Sequence, residues 1–166
     1  YHINRPVNYI LEADGEKRAF LEKTRFFESG FPERISGASD DQRMVQLRSA
    51  TERTVDLIVR EYERSAGKIL LVVNSYVQAQ EVQRTLETAL RKVNCPAQVC
   101  RMISDAVSSE NIQGTVRRGE VSRFAGMKEE ILIAPAMAIE RGHNIVDEYG
   151  HSALCAVFFM VRPMAV

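Results

Sequence analysis

Short aliphatic segments with almost no polar interruption constrain the fold of this chain more than any other feature. One is Ile-Leu-Leu-Val-Val at residues 69–73, another is Ile-Leu-Ile-Ala at 131–134, and a third spans 153–161. A strand with one face in water alternates apolar and polar residues, whereas a strand covered on both faces of a parallel sheet is apolar throughout. The segments therefore predict buried parallel strands at 68–73, 130–134 and 153–161.

Amphipathic helices are predicted on both sides of the first strand. One begins near Ser39 or Asp40, either of which can cap it, and continues to about Ser65, with Gly67 as its C-cap. Its apolar residues recur at helical spacing: Met44, Leu47, Val55, Ile58 and Tyr62. The other follows the strand and stops at residues 94–96, which include a proline. Its apolar side is formed by Val82, Leu86, Leu90 and Val93.

The order of the remaining elements indicates the fold class. A less apolar strand, nearer an edge of the sheet, is predicted at 97–103. Residues 104–118 are polar and predict a loop with at most a short helix, and 120–125 predict a short helix with Val121 and Phe124 inward. Strands alternating with helices predict an α/β fold, a three-layer sandwich whose mostly parallel sheet has helices on both faces and right-handed crossovers.

The N-terminal 39 residues lack this alternation. We predict an extended arm at 1–14, a helix at 15–29 and a loop at 31–39 that contains Pro, Gly and Ser. The expected organisation is therefore an N-terminal arm and helix over 1–39, a helical extension of the fold, followed by one domain over 40–166. Because the chain starts at Tyr1 without an initiator Met and ends abruptly at residues 162–166, we expect it to be a piece of a longer protein.

Net charge and cysteine content limit which binding partners and which cellular compartment we expect. Lysine plus arginine and aspartate plus glutamate both total 22, so net charge gives no general attraction to nucleic acid, and such a role needs a local basic group. Arg117, Arg118, Arg123 and Lys128 form one, either as a solvated face or as phosphate contacts. The three scattered cysteines favour a reducing, cytoplasmic location, and no apolar run reaches the roughly 18–20 residues of a membrane span.

Standard motifs for an independent active site are missing from the sequence. There is no phosphate-binding G-x-x-x-x-G-K-[ST], no G-x-G-x-x-G after a strand, no H-E-x-x-H, no C-x-x-C and no G-x-S-x-G. His143 and His151 flank one loop, and we favour solvated histidines over a metal pair because zinc needs three or four ligands. We therefore assign neither catalytic residues nor a metal site to this chain.

Polar clusters follow two of the predicted strands. Asn74 and Ser75 follow the first, and the segment Glu-Arg-Gly-His-Asn at 140–144 follows the third. Ligands of open α/β sheets bind at the carboxyl ends of the strands, so both clusters are candidates. Ser75 can contact a phosphate at the start of its helix or simply cap that helix, and we favour the cap. Arg141 can face an anion or pair with Glu140 or Asp147.

Taken together, these segments resemble the second, C-terminal RecA-like domain of superfamily 2 helicases over about 67–163. Residues 68–75 are similar to motif IV of that family, and Arg123-Phe124 is similar to its Arg/Phe-containing helix. The strand at 131–134 with Arg-Gly-His-Asn-Ile at 141–145 is similar to motif V, with Asn144 at the usual Asp position and Ala134-Pro135-Ala136 at the usual Thr.

The resemblance implies an ATP-dependent motor that contacts nucleic acid, DNA in preference to RNA. It assigns a nucleotide-cleft role to Glu140, Arg141, Gly142 and Asn144. It assigns nucleic-acid backbone contacts to Asn74, Ser75, Ala136 and Arg123. ATP and Mg²⁺ would be bound mainly by a first RecA-like domain, a partner that this sequence does not include. Because the sequence stops before motif VI, we do not expect the isolated chain to hydrolyse ATP.

Two other interpretations stay open at this point. One is a non-catalytic α/β binding or interaction domain with a degenerate RecA-like fold, which the departures from motif V and the neutral charge favour. The other is a free-standing doubly wound enzyme that binds a small anion at the strand ends, which the missing glycine-rich loop disfavours.

Overall fold

A computed structural model describes the backbone of residues 7–10, 25–26, 40–65, 67–107, 112–139 and 153–161, and the side chains of these ranges from residue 41 onward. The strands are β1 (Val7–Ile10), β2 (Arg25–Phe26), β3 (Lys68–Val73), β4 (Val99–Ile103), β5 (Thr115–Arg117), β6 (Ile131–Pro135) and β7 (Leu154–Phe159). The helices are α1 (Asp40–Arg64), α2 (Tyr76–Lys92), α3 (Ala136–Ile139) and the 3₁₀ helix Arg118–Gly126.

All described strands form one parallel sheet in the order β2-β1-β7-β3-β6-β4-β5. The three aliphatic segments of the sequence lie together at its centre as β7, β3 and β6. Leu71 of β3 lies opposite Ile133 on one side and Phe158 on the other. This confirms that their uniform apolarity reflects strands that are buried on both faces.

The two faces of the sheet belong to two separate apolar cores. Because successive side chains of a strand point to opposite faces, Leu71 lies in one core and Leu70 in the other. The first core includes Leu47 and Ile58 of α1 and Val82 and Leu86 of α2. The second includes Val121 and Phe124 of the 3₁₀ helix and Ala138 of α3. The molecule is therefore a three-layer α/β sandwich, as predicted.

Several polar groups of α1 are satisfied locally or by the neighbouring helix. The buried hydroxyls of Thr51 and Thr54 donate to backbone oxygens one turn earlier, at 2.7 and 2.6 Å. Glu81 of α2 accepts from Arg48 of α1 at 2.9 Å and from Arg84 at 2.7 Å. This shared carboxylate connects the two helices on their outer side.

The structure corrects the prediction at three short elements. Thr115–Arg117 lies in the predicted loop but forms strand β5, and Ala136–Ile139 forms an unpredicted helix. Arg25–Phe26 lies in the range predicted as a helix but pairs with β1 as strand β2. Elements of two to four residues are too short for a hydrophobic period, so pairing with neighbours decides their conformation. The rest of the predicted helix at 15–29 lies outside the described residues.

Candidate functional site

The carboxyl ends of β3 and β6 lie side by side at the centre of the sheet, at a position that we call the crevice. These strands are parallel neighbours, and Val73 lies opposite Pro135 at their ends. After β3 the chain enters α2, which packs in the first core, whereas after β6 it enters α3, which packs in the second. The two connections thus leave toward opposite faces. In open α/β sheets this arrangement opens the crevice where ligands bind.

Asn74 and Ser75 hold the start of α2 at this crevice. Ser75 is the N-cap, with an extended backbone (φ −152°, ψ 163°), and its hydroxyl oxygen accepts from the Gln78 N–H at 3.1 Å. In return, Gln78 Oε1 accepts from the Asn74 N–H at 2.8 Å. These reciprocal bonds resemble a capping box and use two donors that would otherwise be unsatisfied. Ser75 therefore caps its helix, the role that the sequence favoured.

Gln78 is the site residue that the sequence analysis missed. Its side chain is only 7% exposed, and its Oε1 is held by the Asn74 amide. Among the described residues no hydrogen bond is made by its Nε2, and Nε2 is not one of the side-chain atoms buried without a partner. Nε2 is therefore the atom of this carboxamide that the cap leaves without a partner among the described residues. The Ser-x-x-Gln spacing at 75–78 was the signal available in the sequence.

Several donors thus converge at the start of α2. The first amides of a helix, here those of Tyr76 and Val77, have no acceptor within the helix. They lie at the positive end of the helix dipole, beside the Gln78 carboxamide. Uncharged donors around a helix N-terminus suit an anion such as a phosphate group.

Ala136 lies at the same edge of the sheet as Asn74 and Ser75. It directly follows Pro135, the partner of Val73, and is half-buried as the first residue of α3. Its neighbour Met137 is 69% exposed. The structure therefore brings together three of the four residues that the resemblance assigns to nucleic-acid contact.

Arg123 is not brought to this crevice. Its helix packs against β4 and β5, and the ring of the next residue, Phe124, lies 5.0 Å from the Nζ of Lys68, the first residue of β3. That contact places this part of the helix toward the amino ends of the strands. Arg123 is 72% exposed, and its Nη1 is 3.5 Å from Glu120.

The basic group predicted before β6 has partly structural roles. Arg117 donates to the backbone oxygens of Asp105 and Val107 at 3.4 and 2.5 Å, which fastens the loop after β4 to the end of β5. The Asp105 carboxylate accepts from the Gly119 N–H at 3.0 Å, at the start of the 3₁₀ helix. These contacts order the edge of the sheet beyond the crevice.

The nucleotide-cleft residues assigned from the resemblance lie outside the described residues. They are Glu140, Arg141, Gly142 and Asn144, and the same holds for His143, Asp147 and His151.

Within the described ranges, no three histidine, cysteine or acidic side chains are grouped to hold a metal ion. The helices described are too short or too polar to cross a membrane. Burial raises the pKa of Cys100 to about 12, so this thiol stays protonated at neutral pH.

Comparisons with protein-family models, with curated proteins and with solved structures return no match to this chain. The function is therefore inferred from the crevice itself and from the motifs of the sequence. The described part of the crevice offers hydrogen-bond donors for an anion. It offers no acid–base pair or activated nucleophile.

Proposed function

We propose that this chain is the second motor domain of an ATP-dependent helicase or translocase, and that its strand ends hold a nucleic-acid backbone, DNA in preference to RNA. The observation that supports this most is the group of donors at the start of α2, where β3 and β6 send their helices to opposite faces. The resemblance supports the same assignment, because its motifs IV and V follow these two strands.

In this proposal the two sides of the crevice have different partners. A backbone phosphate is held by the start of α2, with Asn74, Ser75 and Gln78 around it and Ala136 beside it. The nucleotide is contacted by Glu140, Arg141, Gly142 and Asn144. ATP and Mg²⁺ are held mainly by the first domain, and hydrolysis takes place between the two domains, because phosphoryl transfer needs the phosphate cradle, the metal and the arginine finger together.

Contacts of this kind have a definite binding signature. Amide and carboxamide donors aimed at phosphates carry no sequence information, so binding is largely independent of base sequence. The chain has a formal net charge of zero, so the isolated domain binds weakly. Affinity should fall as salt rises wherever basic side chains also contact phosphates.

The substitution Gln78→Glu tests the phosphate contact without removing the helix cap. A glutamate keeps the oxygen that accepts from the Asn74 N–H but replaces the Nε2 donor with a negatively charged oxygen. We expect thermal stability to stay equal or rise, because an acidic side chain suits the first turn of a helix. Affinity for a fluorescein-labelled oligothymidylate, measured by anisotropy at low salt, should fall about tenfold with the lost charge-assisted bond.

The matched control is Gln80→Glu, which adds the same charge two residues later on the exposed side of α2. It should weaken binding much less. Equal losses in both variants would indicate a general charge effect, and no loss in either would contradict the phosphate contact.

One observation favours a second candidate, a non-catalytic α/β binding domain. The motor proposal expects the Ser75 hydroxyl oxygen and the Asn74 N–H to face the nucleic-acid backbone. Both groups already make the helix cap. The parent reading frame discriminates between the candidates, since a motor needs a phosphate-binding lysine motif upstream and an arginine-rich motif downstream. In a parent with both, Arg141→Ala should abolish DNA-stimulated ATPase activity, and an unchanged rate would remove the role assigned to Arg141.

A further inference from the structure

Strand β5 is the last of the described strands on its side of the sheet, with β4 as its neighbour. Thr115 lies opposite Arg101, whose N–H donates to the Gly114 oxygen at 3.0 Å. In a parallel ladder, backbone groups of alternate residues point to the same side. The backbone polar groups of Gly114 and Val116 therefore face β4, while the N–H and C=O of Thr115 face away from it. Within the described residues these two groups have no partner.

A groove of about 290 Å³ runs alongside this edge. It is lined by β5, the turn before it and the 3₁₀ helix, including Ile112 and Met127. Ile112 is 37% exposed and is one of the few large apolar side chains that the described residues leave in water. The groove thus combines an open strand edge with apolar contact surface.

The charges around the groove select among possible occupants. Arg117 and Arg123 line it, Arg118 is adjacent in sequence, and Glu120 is the one acidic residue among the described residues of its lining. The contact between Arg123 and Glu120 is 3.5 Å long and both side chains are at least half exposed, so an incoming carboxylate can displace it. A short, basic edge also disfavours pairing with a second copy, because the same arginines would meet.

We propose that the β5 edge binds an extended, acidic segment of another protein as an added strand. Its backbone pairs with the N–H and C=O of Thr115, an apolar side chain enters the groove between Ile112 and Met127, and a carboxylate meets Arg123. Strand addition of this kind takes affinity from main-chain hydrogen bonds and specificity from the pocket beside them. This surface is independent of the crevice at β3 and β6.

Three synthetic peptides test the proposal on the full chain with amide NMR. The first alternates valine and aspartate over six residues, the second has the same sequence with N-methylated backbone, and the third has lysine in place of aspartate. We expect the first to shift the amide signals of Thr115 and Gly114. The second should bind about tenfold more weakly, because its methylated nitrogens cannot donate to the Thr115 C=O. Equal binding of the first two, binding of the lysine peptide, or shifts confined to other strands would overturn the proposal.

Two variants locate the contact. Thr115→Pro removes the outward N–H without touching the bonds to β4, and edge strands tolerate proline. Arg123→Glu reverses the charge that receives the carboxylate. Each should weaken the aspartate peptide about tenfold, whereas Arg60→Glu, the same change at an exposed position on α1, should not. Should Thr115→Pro fail to fold, Arg123→Glu and the N-methylated peptide decide the outcome.

Discussion

Gln83 decides how the edge of the sheet is attached to the rest of the molecule. It projects from α2, is 9% exposed, and its Nε2 donates to the Gly114 oxygen at 2.8 Å and to the Val99 oxygen at 3.3 Å. Its Oε1 accepts from Arg101 at 3.2 Å. Gly114 has a φ of +75°, a conformation that glycine adopts without strain, and its absent Cβ would lie 3.1 Å from Gln83 Nε2. One amide thus holds α2, β4 and the start of β5 together.

Replacing Gln83 with leucine should therefore destabilise the fold. The side chain keeps a similar size, but Arg101 and the Gly114 oxygen lose a partner in a poorly hydrated place, which costs about 1–3 kcal/mol. Urea unfolding followed by circular dichroism measures the loss. Gln80→Leu, at an exposed position of the same helix, should stay within about 0.5 kcal/mol of the parent. Equal stability of both variants would show that Gln83 does not hold the edge strand.

At the scale of elements, α1 and α2 are joined on their outer side by Arg48, Glu81 and Arg84. Burial alone would raise the pKa of Glu81, but hydrogen bonds and charge interactions with Arg84 and Arg48 outweigh it and lower the pKa below its usual value. A carboxyl whose pKa falls on folding stabilises the fold above its unfolded pKa. That contribution is lost as the pH drops through the folded pKa.

Glu81→Gln should accordingly lower stability at pH 7 by less than about 1 kcal/mol, since both arginines are largely exposed. The difference from the parent should shrink toward about pH 3, because the contribution of a carboxyl with a lowered pKa is lost as the pH falls through its folded pKa. Thermal unfolding at both pH values measures it, with Glu63→Gln as a control on an exposed part of α1. A difference that is the same at both pH values would contradict the ionised contact.

Whether a strand or helix could be predicted from the sequence depended on its length and its burial. β3, β6 and β7 were predictable because both of their faces are buried, and α1 and α2 because their long apolar faces repeat. β5 was not, because it has three residues and one buried side chain, Val116, and is positioned by contacts distant in sequence.

The candidate site was predictable only in part. The strand-end positions of Asn74, Ser75 and Ala136 follow from the order of the elements. The Ser-x-x-Gln spacing signals the cap that Gln78 makes, but which side-chain atom the cap uses is visible only in the structure. The position of Arg123 depends on the direction in which its helix crosses the sheet.

At the scale of the whole molecule, two cores share one sheet. Leu132 and Ile133 are consecutive residues of β6 and both are 0% exposed, yet they belong to opposite cores. The same holds for Leu70 and Leu71 of β3. Because the central strands supply side chains to both cores, neither core can open without disturbing the other. The domain should therefore unfold as one cooperative unit.

Alanine substitutions at these neighbours test that cooperativity. Leu132→Ala and Ile133→Ala each leave a cavity in a different core, and each should cost about 2–5 kcal/mol. Met137→Ala, two residues beyond the strand and 69% exposed, should change stability by less than about 0.5 kcal/mol. Urea unfolding followed by far-ultraviolet circular dichroism and by tyrosine fluorescence should give coincident single transitions for every variant. If either core variant separates the two signals, the two layers unfold independently, and the shared strands do not couple the two cores.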